Sequence, residues 1–169
     1  LYRSVIQKGG TLFVNVEDTK LQKDLNYSKV IYYAQGGEQN ITKMSPYLHI
    51  NVANHNIATH LTGSYNIFNF LAAAAIGHYF GVSDEQITTA LSEYMPSNHR
   101  SQINQIGTNT IISDYYNANP TSMAAALENF RLMTDGDRML ILGDMRELGK
   151  ESENEHKAIL KLLEELDYK

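Results

Sequence analysis

The spacing of hydrophobic positions changes several times along the chain, and each change marks an element. Thr11 to Val16 is a short β-branched and apolar run between Gly9-Gly10 and Glu17-Asp18, the pattern of a buried strand. Val30 to Ala34 repeats that pattern ahead of Gly36-Gly37. From Glu38 to His60 weak alternation, with several Asn and His residues, predicts short antiparallel strands and turns. Asn66 to Phe80 contains four consecutive alanines with apolar residues on most sides, which predicts a helix buried nearly all round and closed by Gly81. Ser83 and Gln86 form the signature of a capping box that opens a second helix. Its inner face would carry Ile87, Ala90, Leu91 and Tyr94, and Pro96 follows its end.

Segment 97–101 is polar and reads as a linker, which puts a domain boundary near Pro96. Thr110 to Ser113 then predicts a strand, with a loop from Asp114 to Asn119. Pro120 suits a first helical residue, with Asn119 as N-cap and a buried stripe of Met123, Ala126, Leu127 and Phe130. Asp135-Gly136-Asp137 reads as a turn and Arg138 to Leu142 as another strand. Ser152 and Glu155 suggest a capping box for a last amphipathic helix bearing Ile159, Leu162, Leu163 and Leu166. Strand, helix, strand and helix in this order predict a right-handed crossover joining two parallel strands, an α/β arrangement.

Composition narrows the function classes. Among the 169 residues 43% are hydrophobic and 20% charged, which argues for a packed globular chain rather than a disordered one. The formal net charge is −5 and the Lys and Arg residues are scattered, so no basic footprint points to nucleic acid or to an anionic membrane. Cysteine is absent, which removes disulfides and thiolate metal sites and agrees with a cytoplasmic setting. No apolar run approaches the roughly 18 residues of a membrane span, and no segment resembles a signal peptide. The chain opens with Leu1 and ends inside a helical pattern, so both ends look cut and the remainder of a longer chain is an expected partner.

In an open parallel sheet, ligands bind beyond the carboxyl ends of the strands. Two loops leave such ends, 114–119 and 143–147, and each brings an acid early, Asp114 and Asp144. The helix starting after Asn119 would also offer free N–H groups to a phosphate or carboxylate. From spacing alone these acids could equally cap turns, and Asn119 could simply cap its helix. Asn66 and Asn69 stand three apart near a helix start, so they share a face, and an amide can both donate to and accept from an adenine edge. Capping and core satisfaction would explain the same pair. Arg100 could clamp a phosphate or carboxylate, or lie solvated on the surface. His55, His60 and His156 show no metal spacing and read as structural or surface residues. The chain has no P-loop, no dinucleotide fingerprint, no nucleophile elbow and no zinc-protease helix, hence no triphosphate cradle or metal cage of its own.

The run Ser113-Asp114-Tyr115-Tyr116-Asn117-Ala118-Asn119-Pro120, followed by Leu142-Gly143-Asp144-Met145-Arg146-Glu147-Leu148-Gly149, closely resembles the Mur ligases. Within them it is similar to the branch that reads D-D-S-Y-N-A-N-P and then L-G-D-M-x-E-L-G, with Glu155-His156 in the acidic helix beyond. Gly63 to Asn69 resembles the family's G-x-H-N-x-x-N, and Asn98-His99-Arg100 its linker arginine motif. Two departures matter: Tyr65 stands where the family has His, and Ser113 where it has the first acid of a pair.

The resemblance implies a fold and a chemistry. Residues 1–96 would be the second half of a P-loop-type central, ATP-binding domain, without the P-loop itself. Residues 97–169 would begin a Rossmann-like C-terminal domain with parallel strands. The implied reaction uses ATP and Mg2+ to phosphorylate the terminal carboxylate of UDP-N-acetylmuramoyl-tripeptide, after which the amine of D-alanyl-D-alanine displaces phosphate. Asn66, Asn69, Arg100 and Asp114 match the family's nucleotide-binding positions, while Asn117 and Asn119 fall on the dipeptide side. The implied catalytic groups lie outside this stretch. Alternatives are a folylpolyglutamate-type or other Mur ligase, whose loops read D-x-A-H-N-P, or a non-catalytic binding module that keeps the ligase fold.

Overall fold

In the computed structural model, residues 2–22, 25–97, 99–133 and 137–168 are described. The chain divides into two compact units, one of Leu1–Lys43, Leu48–Thr59 and Ser64–Tyr94, the other of Met44–Tyr47, His60–Gly63 and Met95–Lys169. The long exchange between them falls after Tyr94, two residues ahead of Pro96.

The first unit opens with helix α1 (Tyr2–Gln7), strand β1 (Leu12–Asn15), the short helix α2 (Thr19–Gln22) and strand β2 (Val30–Tyr33). β1 and β2 pair in parallel, Leu12 opposite Val30 and Asn15 opposite Tyr33. A 3-10 turn (Gly37–Asn40) leads to an antiparallel sheet of β3 (Ile41–Lys43), β4 (His49–Val52) and β5 (His55–Ala58), as the alternation predicts. Leu12, Val14, Ile50, Val52 and Ile57 are buried from the two sheets.

Helix α3 (Ile67–Tyr79) packs on β1, β2 and β4. It is not buried nearly all round. Ile67, Phe70 and Ala74 form one buried stripe because the sheets lie on one side of it, while Ile76 and, at the helix end, Tyr79 are exposed. Tyr79 is tied back to β1 by a 2.9 Å hydrogen bond between its hydroxyl and that of Thr11, and by an edge-on contact with Phe13. Gly81 ends the helix at φ 77°: its N–H donates to His78 O while Val82 N–H donates to Gly77 O, a Schellman closure that a β-carbon would strain. Helix α4 (Asp84–Glu93) starts with the expected capping box between Ser83 and Gln86. Its buried residues are Ile87 and Thr88; Ala90 and Tyr94 are exposed, so the inner face is narrower than the spacing suggests.

The second unit contains a strand that the sequence reading did not anticipate. β6 (Gln102–Ile106) pairs antiparallel with β7 (Asn109–Ser113), Gln102 opposite Ser113. Helix α5 (Pro120–Met133) follows, then an extended stretch, a 3-10 turn (Gly149–Glu151) and helix α6 (Ser152–Glu165). The α/β class with parallel strands stands, its parallel ladder being β1–β2. The particular pair expected across α5 does not form among the described residues, since 138–142 joins no ladder. Leu140 packs inward, whereas Met139 is 81% and Ile141 90% exposed, so the stretch alternates like a strand although it joins no ladder among the described residues. Asn98 and the expected turn at Asp135-Gly136 lie outside the described residues.

Leu127 of α5, Met145 and Ile159 of α6 form the buried centre between the two helices, with Met123, Leu140, Leu148, Leu162, Leu163, Leu166 and Tyr168 against it. Tyr168 closes this centre, donating its hydroxyl to Leu127 O at 2.7 Å and stacking on Phe130. Burial there pushes its phenol upward in pKa, against a smaller opposing effect of Arg138 and Arg131. The capping box expected at Ser152 is not made. The 3-10 turn carries the chain into α6 one residue early, and Ser152 is already helical. Among the described residues, no helix is long and apolar enough to cross a membrane.

Met145 is therefore a core residue and Met139 is not. Met145→Ala should lower stability by about 2–5 kcal/mol, through lost burial and the cavity left behind. Met139→Ala should stay within about 0.5 kcal/mol of the parent sequence. Urea unfolding followed by circular dichroism reads both; equal effects would contradict the core assignment.

Candidate functional site

Two groups of residues carry the candidate chemistry, one in each unit. In the first, Asn66 ends a 3-10 turn (Ser64–Asn66) and stands at the N-cap position of α3, but its side chain makes no capping bond. Asn69 Nδ2 instead donates to Asn66 Oδ1 at 3.0 Å, as residues three apart on a helix allow. Asn66 is buried and Asn69 exposed, so the inner amide orients the outer one. An amide held this way presents a fixed donor and acceptor pattern, as needed to read the edge of a planar heterocycle.

The second group lies where the hairpin ends. Because Gln102 faces Ser113, the next residues outward, Ser101 and Asp114, meet directly: Ser101 N–H donates to Asp114 Oδ1 at 3.1 Å. Asp114 is half-buried at the carboxyl end of β7. Its carboxyl is pushed above the ordinary aspartate range by burial, against the smaller opposing pull of the Ser101 N–H and of the Arg100 charge. Arg100 sits between two residues in the left-handed region, His99 at φ 55° and Ser101 at φ 50°. Tyr115 N–H donates to His99 O at 3.1 Å, and the two rings stack 4.6 Å apart and 18° from parallel. The Arg100 guanidinium carbon lies 4.3 Å from the centre of the Tyr116 ring. Arg100 is exposed, so its charge is open to an anion from solvent.

Asn119 caps α5: its Oδ1 accepts from Ser122 N–H at 3.0 Å, and its own N–H donates to Ser122 Oγ at 3.1 Å. Pro120 has no N–H, and Met123 N–H bonds Asn119 O, which leaves Thr121 N–H as the first-turn donor with no partner among the described residues. The anion site expected at this helix start is thus mostly filled by its own cap, and Asn119 keeps only its Nδ2 for a ligand. Asn117 is exposed and accepts from Ser122 Oγ through its main-chain oxygen, leaving its amide outward.

The other acidic loop serves the fold. Met145 N–H donates to His156 Nε2 at 3.1 Å, while His156 Nδ1 donates to Ser152 O at 2.7 Å, the pattern of a neutral, Nδ1-protonated ring. Asp144 is almost fully exposed with one oxygen 4.0 Å from that ring. Gly149 at φ 57° lets the chain turn into α6. His60 packs edge-on against Tyr47, and His55 is exposed. Among the described residues no three His, Asp or Glu side chains converge to hold a metal ion, so this donor set does not fit Mg2+. For a nucleotide each unit offers a partial fit by itself, the first an oriented amide and the second an exposed guanidinium and a carboxylate, with no triphosphate cradle in either among the described residues.

Sequence reasoning missed the two tyrosines and His99. Two large aromatics in a polar loop directly after the acid were the available signal, since such rings gain from a partner.

Residues 99–168 match the family described as Mur ligase, glutamate ligase domain. The UDP-N-acetylmuramoyl-tripeptide–D-alanyl-D-alanine ligase of Bacillus subtilis is 39% identical over 99 residues, covering 57% of this chain and 22% of that protein. Its counterpart in Mycobacterium tuberculosis strain H37Rv is 35% identical over 127 residues, 71% of this chain and 25% of that protein. Over residues 99–168 the chain belongs to the Mur ligase family. It spans about a quarter of the length of these curated Mur ligases. A crystal structure of MurF from Acinetobacter baumannii superposes with a TM-score of 0.77 at 26% identity, over 92% of this chain and 36% of that one. MurF ligase from Thermotoga maritima, solved in complex with ADP, shares the fold at a TM-score of 0.72 and 18% identity, over 91% of this chain and 38% of that one.

Two outcomes follow for this Mur ligase site. The folded pKa of Asp114 lies above its unfolded value, so the native state binds more protons in the window upward from about 3.9, and stability falls as pH rises across it. Asp114→Asn, which keeps an acceptor for Ser101 N–H, should remove that fall in pH-resolved thermal unfolding. Asn119→Ala should lose about 1 kcal/mol through the cap, whereas Asn119→Asp retains it. Equal stability of the two Asn119 variants would show that the cap is not what the side chain supplies.

Proposed function

We propose that these residues are part of an ATP-dependent carboxylate–amine ligase that joins D-alanyl-D-alanine to UDP-N-acetylmuramoyl-tripeptide, in the cytoplasmic synthesis of peptidoglycan precursors. The observation that carries this reading is the hairpin end, where the Y-N-A-N-P loop shared with the D-alanyl-D-alanine branch leaves β7 and holds Arg100 beside Asp114. In the same reading residues 1–96 belong to the central, ATP-binding domain of the ligase, and residues 97–169 begin its C-terminal domain.

Each side chain then has a task that its setting supports. Asn69, oriented by Asn66, reads the adenine edge. Arg100 offers an exposed, permanently charged fork to phosphate oxygens. Asp114 has one oxygen on Ser101 N–H and the other for a ribose hydroxyl. Asn117 and the remaining Asn119 donor face the incoming dipeptide. ATP, when bound, supplies the phosphoryl group that activates the substrate carboxylate. The groups that cradle its triphosphate and hold Mg2+ are not among these residues.

The gene product that contains these residues should release phosphate from ATP only when both the UDP-linked tripeptide and D-alanyl-D-alanine are present. Arg100→Ala and Asp114→Ala should each lower that rate by roughly a hundredfold, on the scale of losing a preorganised charged contact, with the circular dichroism spectrum unchanged. The 169 residues alone should bind ATP weakly or not at all by calorimetry. Release driven by a different amino acid in place of the dipeptide would end the proposal.

A further inference from the structure

Arg100 carries its charge on a three-residue turn that an ordinary chain would not adopt. His99 and Ser101 on either side of it are both left-handed and neither is Gly; His is among the residues enriched in that region, but Ser is not, and two such residues flanking one position are uncommon. Such a turn persists only where its surroundings over-determine it. The surroundings here are three successive residues after β7. Asp114 accepts the Ser101 N–H, Tyr115 bonds and stacks on His99, and Tyr116 lies under the guanidinium of Arg100. Every residue of the turn thus has its own partner in the loop: His99 has Tyr115, Arg100 has Tyr116 and Ser101 has Asp114.

Resting on the ligase reading, we propose that Tyr115 and Tyr116 are positioning residues for Arg100. Tyr115 fixes the turn through His99, and Tyr116 supports the guanidinium by its ring face, so that its N–H donors stay directed to an anionic oxygen of the nucleotide. The ring face is the operative part of Tyr116. Its quadrupole attracts the cation without using any of the five N–H donors, which a carboxylate in the same place would occupy. Besides Ser113, Tyr115 is a position at which this chain departs from the family's D-D-S-Y-N-A-N-P, where serine stands. A serine has no ring to stack on His99, so the stack is a feature of this chain and not of the motif.

Two measurements test the proposal. In the 169-residue chain, the Arg100 Nε–Hε NMR resonance, assigned through Arg100→Lys, should show an upfield ring-current shift. That shift should survive in Tyr116→Phe and vanish in Tyr116→Leu. In the gene product, Tyr116→Leu should raise KM for ATP about two- to fivefold, the equivalent of one exposed cation–π contact. KM for D-alanyl-D-alanine should stay as it was, and Tyr116→Phe should behave as the parent. Tyr115→Ser should broaden the Arg100 resonance and raise the same KM. A resonance unmoved in Tyr116→Leu overturns the positioning role whatever the assay gives. A lost shift with unchanged KM for ATP overturns its link to the nucleotide. Absence of any ligation by the parent sequence removes the ligase reading, and this assignment of the anion with it.

Discussion

The register of one short hairpin governs the candidate site. β6 and β7 are five residues each, and pairing Gln102 with Ser113 fixes which residues leave the ladder together. Side chains alternate along a strand, so a slip by one residue would turn every pair to the opposite face. With the register as it stands, Ser101 meets Asp114, and the chains beyond them run past each other closely enough for His99 to reach Tyr115 and Arg100 to reach Tyr116. The chemistry at the end of β7 is a consequence of that alignment rather than of any single residue.

Much of the fold was legible because local signals and packing agree. The capping box at Ser83, the glycine closure at Gly81 and the Asn119-Pro120 start each describe a hydrogen bond that forms within four residues, so the sequence contains all its partners. Strands are different, since half of their bonds belong to a neighbour elsewhere. Gln102 to Ile106 is mostly polar and largely exposed toward its end, so it carries no apolar strand signal although a matching partner lies only two residues beyond it. Met139 to Leu142 has the opposite problem, an apolar pattern that predicts a strand where no neighbour takes up its bonds among the described residues. The long apolar helix misled for a related reason: composition tells how many faces could be buried, not how many sheets are there to bury them.

The site was legible in proportion to how local its logic is. Asn66 and Asn69 needed only helical spacing, and the 3.0 Å bond between them is what that spacing permits. Asp114 followed from its place after an apolar strand. Arg100 had no local signal at all and stood out only through the family's linker motif, because its setting is assembled from residues some fifteen positions away. The same limit hid His99 and the tyrosines. The signature around Gly143 to Gly149 illustrates the converse, since its recurrent residues prove to be a core plug, a main-chain bond to His156 and a turn glycine.

Why the turn at 99–101 tolerates its geometry can be weighed. Two non-glycine residues in the left-handed region together cost about 2–4 kcal/mol. Against this stand a hydrogen bond to a carboxylate, about 1.5–3 kcal/mol, an aromatic stack of about 0.5–1.5 kcal/mol and an exposed cation–π contact of about 0.5–1 kcal/mol. Together with the Tyr115 N–H bond to His99 O, about 0.5–1.5 kcal/mol, these three side-chain contacts outweigh the cost by only a few kcal/mol, so the turn is held with little to spare. The raised pKa of Asp114 adds to this, because burial works against the charged carboxylate that makes the strongest of the three. A turn balanced in this way responds to what binds beside it. An anion that engages Arg100 favours the arrangement the three contacts already support, whereas loss of any one of them lets the backbone relax and carries the guanidinium away from Asp114.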